Sequence, residues 1–413
     1  MASSTFVVTM LLSFLFLFLL TSPENGAADA APYTSLFSFG DSLADTGNLL
    51  HLSPETNQPP HFALPPYGET FFHTPTGRFS DGRVVIDFIA DSLGLPFLPP
   101  YVGEEKNESG RRNFGQGVNF AVAGATALDD EFFKKIGVHL TPNISLDCQL
   151  NWFKEMLPTI CQSSSECKEF LKSSLVVVGE IGGNDYNHAF LGGISTDFIK
   201  SYVSNVVSKI GSVIHELIGL GAVTLLVPGE LPKGCSAAYL ATYMSSNQTD
   251  YDPETGCLNW LNDFAKYHNS LLINELNRLQ ELHPHATIIY ADYYNAAMQF
   301  YLTPDKLGFK EGALVACCGA GGPYNFNASV QCGYPPTKGC ADPNLYANWD
   351  GMHLTEAAYK CPIAHGSGRA SHMHPREATM LPAMATQATT SSPGHKAAEG
   401  WYDVVVPLHG VIT

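Results

Sequence analysis

The chain has 413 residues, of which 45% are hydrophobic and 15% charged, a balance of folded globular proteins that excludes a wholly disordered or fibrous chain. Its 39 acidic residues outnumber 22 basic ones, for a formal net charge of -17. A surface of that sign repels phosphate backbones, so nucleic acid is excluded as a partner, and anionic ligands gain no long-range steering.

The first segment, from Met1 to Thr5, leads into an apolar run over 6–20 and then small and polar residues over 22–31. Although Lys and Arg are missing from its start, a run this short followed by Ala-rich small residues reads as a secretory signal peptide over 1–30. No later stretch is long and apolar enough to span a bilayer. Four N-x-[ST] sequons, at Asn107, Asn143, Asn247 and Asn327, are expected glycosylation sites on an exported chain.

From about Ser35 onward, short apolar runs alternate with stretches of helical period, which predicts an α/β fold built on a five-stranded, mainly parallel sheet. The predicted strands are 35–39, 118–122, 175–179, 223–227 and 287–291, and the clearest helices are 84–93, 198–220 and 258–282. In the last, Leu258, Leu261, Phe264, Ala265, Leu271, Leu272, Leu276 and Leu279 form one core-facing stripe. Pro- and Gly-rich stretches at 53–68 and 319–336 read as long loops on one domain spanning 31–360. After Lys360 the composition turns to Ala, Ser, Thr, Pro, His and Met, so 361–413 is expected to be an atypical, poorly ordered tail.

Ten cysteines suit an oxidising compartment. Cys161 and Cys167 flank a polar loop, Cys235 and Cys257 bracket a sequon, and Cys317, Cys318, Cys332 and Cys340 crowd a Gly-rich segment. Local disulfides are the preferred reading, with connectivity left open. The last four could instead hold zinc, but they lack paired C-x-x-C knuckles. No metal is expected.

Ser42 directly follows the first strand in Phe39-Gly40-Asp41-Ser42-Leu43, where open α/β sheets place their active sites. Gly40 permits a tight turn, and the Ser42 peptide NH can face a developing oxyanion. The plain alternative is that Ser42 or Asp45 caps the next helix. A hydroxyl is a poor nucleophile without a base, and the base needs an orienting carboxylate. Asp350-Gly351-Met352-His353 supplies both on a loop that precedes a helical stretch. Two further segments offer oxyanion donors: Gly117 to Thr126, where Gly124 presents a backbone NH, and Gly179 to Tyr186, where Asn184 presents a side-chain amide. Each is also compatible with an ordinary turn. Phe71, Phe72 and Tyr186 are candidates for stacking on a phenolic acyl group, although such residues more often pack in the core.

In this order the four segments resemble the GDSL family of SGNH hydrolases, which is named for Ser, Gly, Asn and His in four such blocks. The likeness extends through Ala44 to Asn48, Gly77 to Arg83 and Pro228 to Gly234, strings similar to the secreted plant branch. The resemblance implies a three-layer flavodoxin-like sandwich and a serine esterase working through an acyl-serine intermediate without a cofactor. It implies Ser42 as nucleophile, His353 as base and Asp350 as orienting acid, with Ser42, Gly124 and Asn184 forming the oxyanion hole. The substrates implied are acetyl or phenolic esters of plant metabolites or wall glycans. The protein would be secreted to the extracellular space or cell wall, with the vacuole as the alternative. Two rival readings remain: an acyltransferase using the same acyl-serine, and a catalytically impaired carbohydrate-binding or interaction protein. The second arises because family members continue past the His block into an amphipathic helix, whereas here Cys361-Pro362 should stop that helix within two turns.

Overall fold

Strands β1 (Ser35–Phe39), β2 (Gly117–Asn119), β3 (Ser174–Val178), β4 (Thr224–Pro228) and β5 (Thr287–Ala291) form one sheet in the order β2-β1-β3-β4-β5. Every neighbouring pair is parallel. The computed structural model describes residues 33–54, 56–103 and 114–363. The signal-like run, the Asn107 sequon and the tail beyond residue 363 lie outside them.

Successive side chains on a strand point to opposite faces, so the two buried faces of β1 feed two cores. Phe37 and Phe39 pack with Val176 and Val178 against α3 (Leu146–Ile160), α5 (Val203–Leu220) and α6 (Asn259–Leu282). Leu36, with Leu175 and Val177, packs against α2 (Val85–Ser92), α7 (Tyr293–Leu302) and α8 (Glu356–Ala358). This is a three-layer flavodoxin-like sandwich, and two short helices, α1 (Asn48–Leu52) and α4 (Gly183–Leu191), follow β1 and β3 at its carboxyl edge. In α6 most of the stripe read from the sequence is buried, with Leu261, Phe264, Ala265, Leu272, Leu276 and Leu279 in the core and Leu271 only half-buried at its edge. Burying a large apolar side chain is worth roughly 1.5–3 kcal/mol, more than any ordinary difference in helix propensity, so the stripe decides which face turns inward.

Strand β2 is shorter than the expected 118–122, and two larger differences from the sequence reading stand beside it. The helix expected over 198–220 is broken at Tyr202 (φ -109°, ψ 8°), between a short helix Thr196–Ser201 and α5. Tyr202 is drawn into the core, where its hydroxyl donates to the Asp185 carbonyl at 2.9 Å. The second difference is a two-stranded parallel sheet, β6 (Gly312–Ala316) with β7 (Tyr346–Asn348), at either end of the Gly-rich loop. That loop is tied by disulfides Cys317–Cys340 and Cys318–Cys332, and two others join Cys161 to Cys167 and Cys235 to Cys257. The four thiols of the zinc alternative are therefore consumed in pairs.

Past α8 the chain makes a wide turn over Tyr359–Ile363 and leaves helical geometry at Cys361 (φ -68°, ψ -171°). Cys361 precedes Pro362, and a proline ring disfavours the helical conformation in the residue before it. Among the described residues no helix is long and apolar enough to cross a membrane.

Candidate active site

The sheet order changes direction between β1 and β3, and ligands of open α/β sheets bind outside the carboxyl ends of strands at such a switch point. Ser42 lies there, three residues beyond β1. Gly40 makes the exit with φ +144°, and a Cβ on it would lie 3.3 Å from the Glu180 carbonyl, so conformation and space both favour glycine. A buried amide completes the turn: Gly40 N–H donates to Gln149 Oε1 and Gln149 Nε2 donates to the Gly40 carbonyl, each at 2.8 Å.

Buried carboxylates then stitch the loops together. Asp45 accepts from Gly47, Asn48 and Leu49 N–H, and its Oδ2 also accepts from Ala123 N–H at 2.8 Å. Gly47, not Asp45, occupies the cap position of α1; Asp45 takes the first free N–H groups from two residues before it and at the same time ties this turn to the chain beyond β2 at Ala123. Asp185, in α4, takes Ala127 and Leu128 N–H at 2.7 and 2.9 Å. Burial raises both carboxyls, Asp45 to about 6 and Asp185 to about 7, against the lowering effect of these N–H donors. Asp41 is also pushed well up by burial, with Glu180 and Glu230 adding to the push and Leu43 N–H and Lys233 opposing it.

Gly124 sits between the two anchored stretches, with φ +81° and a Pro142 ring atom 3.0 Å from where a Cβ would stand. Asn184, at the start of α4, donates its amide to the Ala125 carbonyl at 3.1 Å and to Asp41 Oδ2 at 3.2 Å. The Ser, Gly and Asn segments thus form one continuous hydrogen-bonded patch.

Asp350 and His353 reach this patch from the far end of the chain, just beyond β7. His353 Nε2 is 2.8 Å from Ser42 Oγ, and its Nδ1 is 2.9 and 2.8 Å from the two Asp350 oxygens. An ionised carboxylate only accepts, so Nδ1 carries the proton and Nε2 is left to accept from the Ser42 hydroxyl. Burial alone would raise the Asp350 carboxyl, but the facing imidazole, Met352 N–H and the Tyr67 hydroxyl together hold it well below the usual carboxylate range. Ser42 is nearly buried, with 9% of its surface exposed.

Residues of the first hundred support the His353 loop, and most of them carried no readable signal. The Phe79 ring lies 4.8 Å from the imidazole. Ser80 Oγ donates to the Leu354 carbonyl, and Asp81 accepts the Glu356 N–H that opens α8. Arg83 pairs with Glu356 at 2.8 Å and stands over the rings of Phe71 and Phe88 at 4.1 and 4.5 Å. The string Gly77 to Arg83, read from the sequence as part of the family likeness, does two jobs: Ser80, Asp81 and Arg83 hold the start of α8, while Arg78 pairs with Asp87 of α2 at 2.7 Å. Of the aromatic candidates, Tyr186 is wholly buried with its hydroxyl on His268 at 2.7 Å, so it is core and not an acyl contact, while Phe71 remains partly exposed. Asn143, Asn247 and Asn327 are exposed.

A family model described as GDSL-like lipase/acylhydrolase matches residues 36–361. A GDSL esterase/lipase of Arabidopsis thaliana is 51% identical over 87% of this chain and 89% of its own length. Another from the same plant is 52% identical over 87% and 90%. A sinapine esterase of Brassica napus is 53% identical over 81% of this chain and 85% of its own.

Proposed function

The chain belongs to the GDSL-like lipase/acylhydrolase family, a family of carboxylic ester hydrolases, and we propose that it is a secreted serine esterase whose nucleophile is Ser42. The observation that carries the assignment is the line of contacts Ser42–His353–Asp350, each link 2.8 to 2.9 Å.

In the proposed reaction Ser42 Oγ attacks the ester carbonyl carbon while its proton passes to His353 Nε2, and Asp350 steadies the imidazolium. The carbonyl oxygen becomes an oxyanion that takes the Ser42 and Gly124 N–H groups and one N–H of Asn184, which gives up a long bond to Asp41 or Ala125. Collapse breaks the ester bond, and the alcohol leaves with the proton held by His353. Water then repeats the sequence on the acyl-serine, His353 taking its proton and returning it to Ser42. No step calls for a metal or an organic cofactor.

Phenolic and acetyl esters of plant metabolites or wall glycans are the proposed substrates. The similarity to a sinapine esterase favours the phenolic class, and the net charge of -17 favours neutral or cationic esters over anionic ones. Secretion is proposed from the leader at 1–30 and the sequons, with Asn107, Asn143, Asn247 and Asn327 as glycan sites, residues 31–360 as the hydrolase domain and 361–413 as an appended tail.

The test is a hydrolysis panel of acetyl, feruloyl, sinapoyl and long-chain esters, run with and without a competing alcohol. Turnover of phenolic or acetyl esters to the free acid supports the proposal. Products that are mainly new esters make the protein an acyltransferase, and no turnover of any ester makes it a binding protein.

A further inference from the structure

The line of hydrogen bonds does not end at Asp350. Its Oδ1 is occupied by Met352 and His353 N–H at 3.1 and 3.0 Å, but beyond the imidazole Oδ2 has one further donor, the Tyr67 hydroxyl at 2.8 Å. Tyr67 Oη is in turn 3.3 Å from His61 Nδ1, which lies 3.1 Å from the Cys332 carbonyl. Only one arrangement of protons satisfies this line. The carboxylate accepts, so Tyr67 donates; the Cys332 carbonyl accepts, so His61 Nδ1 carries its proton and shares it with the phenol oxygen.

The support is rigid at both ends. Tyr67 is 1% exposed, and its ring lies edge-on to Trp349 at 5.8 Å and to Phe79 at 6.1 Å. Burial first, and the facing carboxylate second, push its phenol well above the usual range, so it is a donor at any working pH. Burial lowers the His61 imidazole, against the raising effect of the Asp350 charge and the Cys332 carbonyl. Cys332 is bonded to Cys318, whose N–H donates at 2.7 Å to the carbonyl of Trp349, the residue before Asp350.

We propose that Tyr67 is a positioning residue of the hydrolytic reaction: its hydroxyl fixes the Asp350 carboxylate at the angle that aims His353 at Ser42, and His61 fixes Tyr67. The proposal rests on the roles given above to Ser42, His353 and Asp350. A carboxylate in a dry site turns about its Cβ–Cγ bond unless both oxygens are held, and a small loss of aim is costly because the proton transfer needs a near-linear contact.

Tyr67→Phe keeps the ring and removes only the donor. The expected result is a kcat about tenfold lower, the loss ascribed to one hydrogen bond to a charged group, with KM nearly unchanged and the thermal midpoint lower by a few degrees. His61→Ala, which leaves Tyr67 in place but loosens it, should lower kcat in the same direction by about threefold. In an Asp350→Ala background, assayed at high enzyme concentration, Tyr67→Phe should change the residual rate by less than about twofold, because the group it acts through is gone. Wild-type kcat in Tyr67→Phe, a change confined to KM, or a full additive loss in the Asp350→Ala background would each overturn the proposal. Ser42→Ala is measured alongside. If that variant stays active, the reading of the site itself has failed; if it is silent while Tyr67→Phe is fully active, only the role of Tyr67 has.

Discussion

The loop that carries Ser42 and the loop that carries His353 meet at a 2.8 Å contact but are held by different means. The Ser42 loop issues from β1, inside the main sheet, and is fastened by backbone N–H groups converging on buried carboxylates and one buried amide, Asp45, Asp185 and Gln149. The His353 loop follows a three-residue strand of the small second sheet. It is framed by two disulfides and clamped by the Arg83–Glu356 pair and Tyr67. The first is an extension of the main core; the second is an attachment to it. Perturbing the first loop should therefore strike the chemistry, and perturbing the second should strike stability and alignment together.

The largest effect that tests this contrast is expected from Asn184→Ala. An oxyanion donor bonds best to charge present only in the transition state, so kcat should fall on the order of a hundredfold with little change in KM. A raised KM at unchanged kcat would make Asn184 a substrate contact. Arg83→Met comes next. It leaves the nearly buried Glu356 carboxylate without its cation, and removing one member of such a pair costs roughly 3 kcal/mol. The thermal midpoint should fall by several degrees and kcat by a few-fold, measured by calorimetry and steady-state rates. A fall in stability with kcat intact would show that the clamp does not reach His353.

How much of this was legible follows the same division. Strands β1, β3, β4 and β5 fall within one residue of their expected positions because parallel strands buried on both faces are continuous apolar runs. Strand β2 is shorter than expected, since Gly117–Asn119 pairs regularly while Phe120 and Val122 make isolated bonds to Ser38 and Gly40. Ser42 stood out by its place at a strand end, and Asp350 and His353 by their order after the Gly and Asn blocks. Residues that act across the fold were invisible. Tyr67 and Asp350 are 283 positions apart, as Arg83 and Glu356 are 273, and no periodicity records such a pair. The break at Tyr202 was hidden for a related reason: no helix-breaking residue marks it, and what accompanies it is a tertiary hydrogen bond to the Asp185 carbonyl.

The smallest expected effect belongs to Glu180, which lies under Gly40 on the Ser42 side. Burial lifts its carboxyl from 4.5 to about 7, opposed by a backbone N–H and by Tyr293. A carboxyl whose folded value is raised contributes stability that is complete below its unfolded value and is lost as the pH climbs through the folded one. Glu180→Gln mimics the protonated form at every pH. Its thermal midpoint, taken relative to wild type, should therefore rise by a few degrees between about pH 5 and pH 8. A difference that stays constant with pH would mean that Glu180 is already ionised at acid pH.

The central claim is that Ser42 is the group that takes the acyl chain. A fluorophosphonate reacts covalently with a serine only where an adjacent base activates it, so the direct measurement is intact and peptide mass spectrometry after such labelling. One phosphonyl adduct per chain, located on Ser42 and lost in both Ser42→Ala and His353→Ala, is the predicted result. An adduct on another residue, or none on an enzyme that still turns over esters, would contradict it.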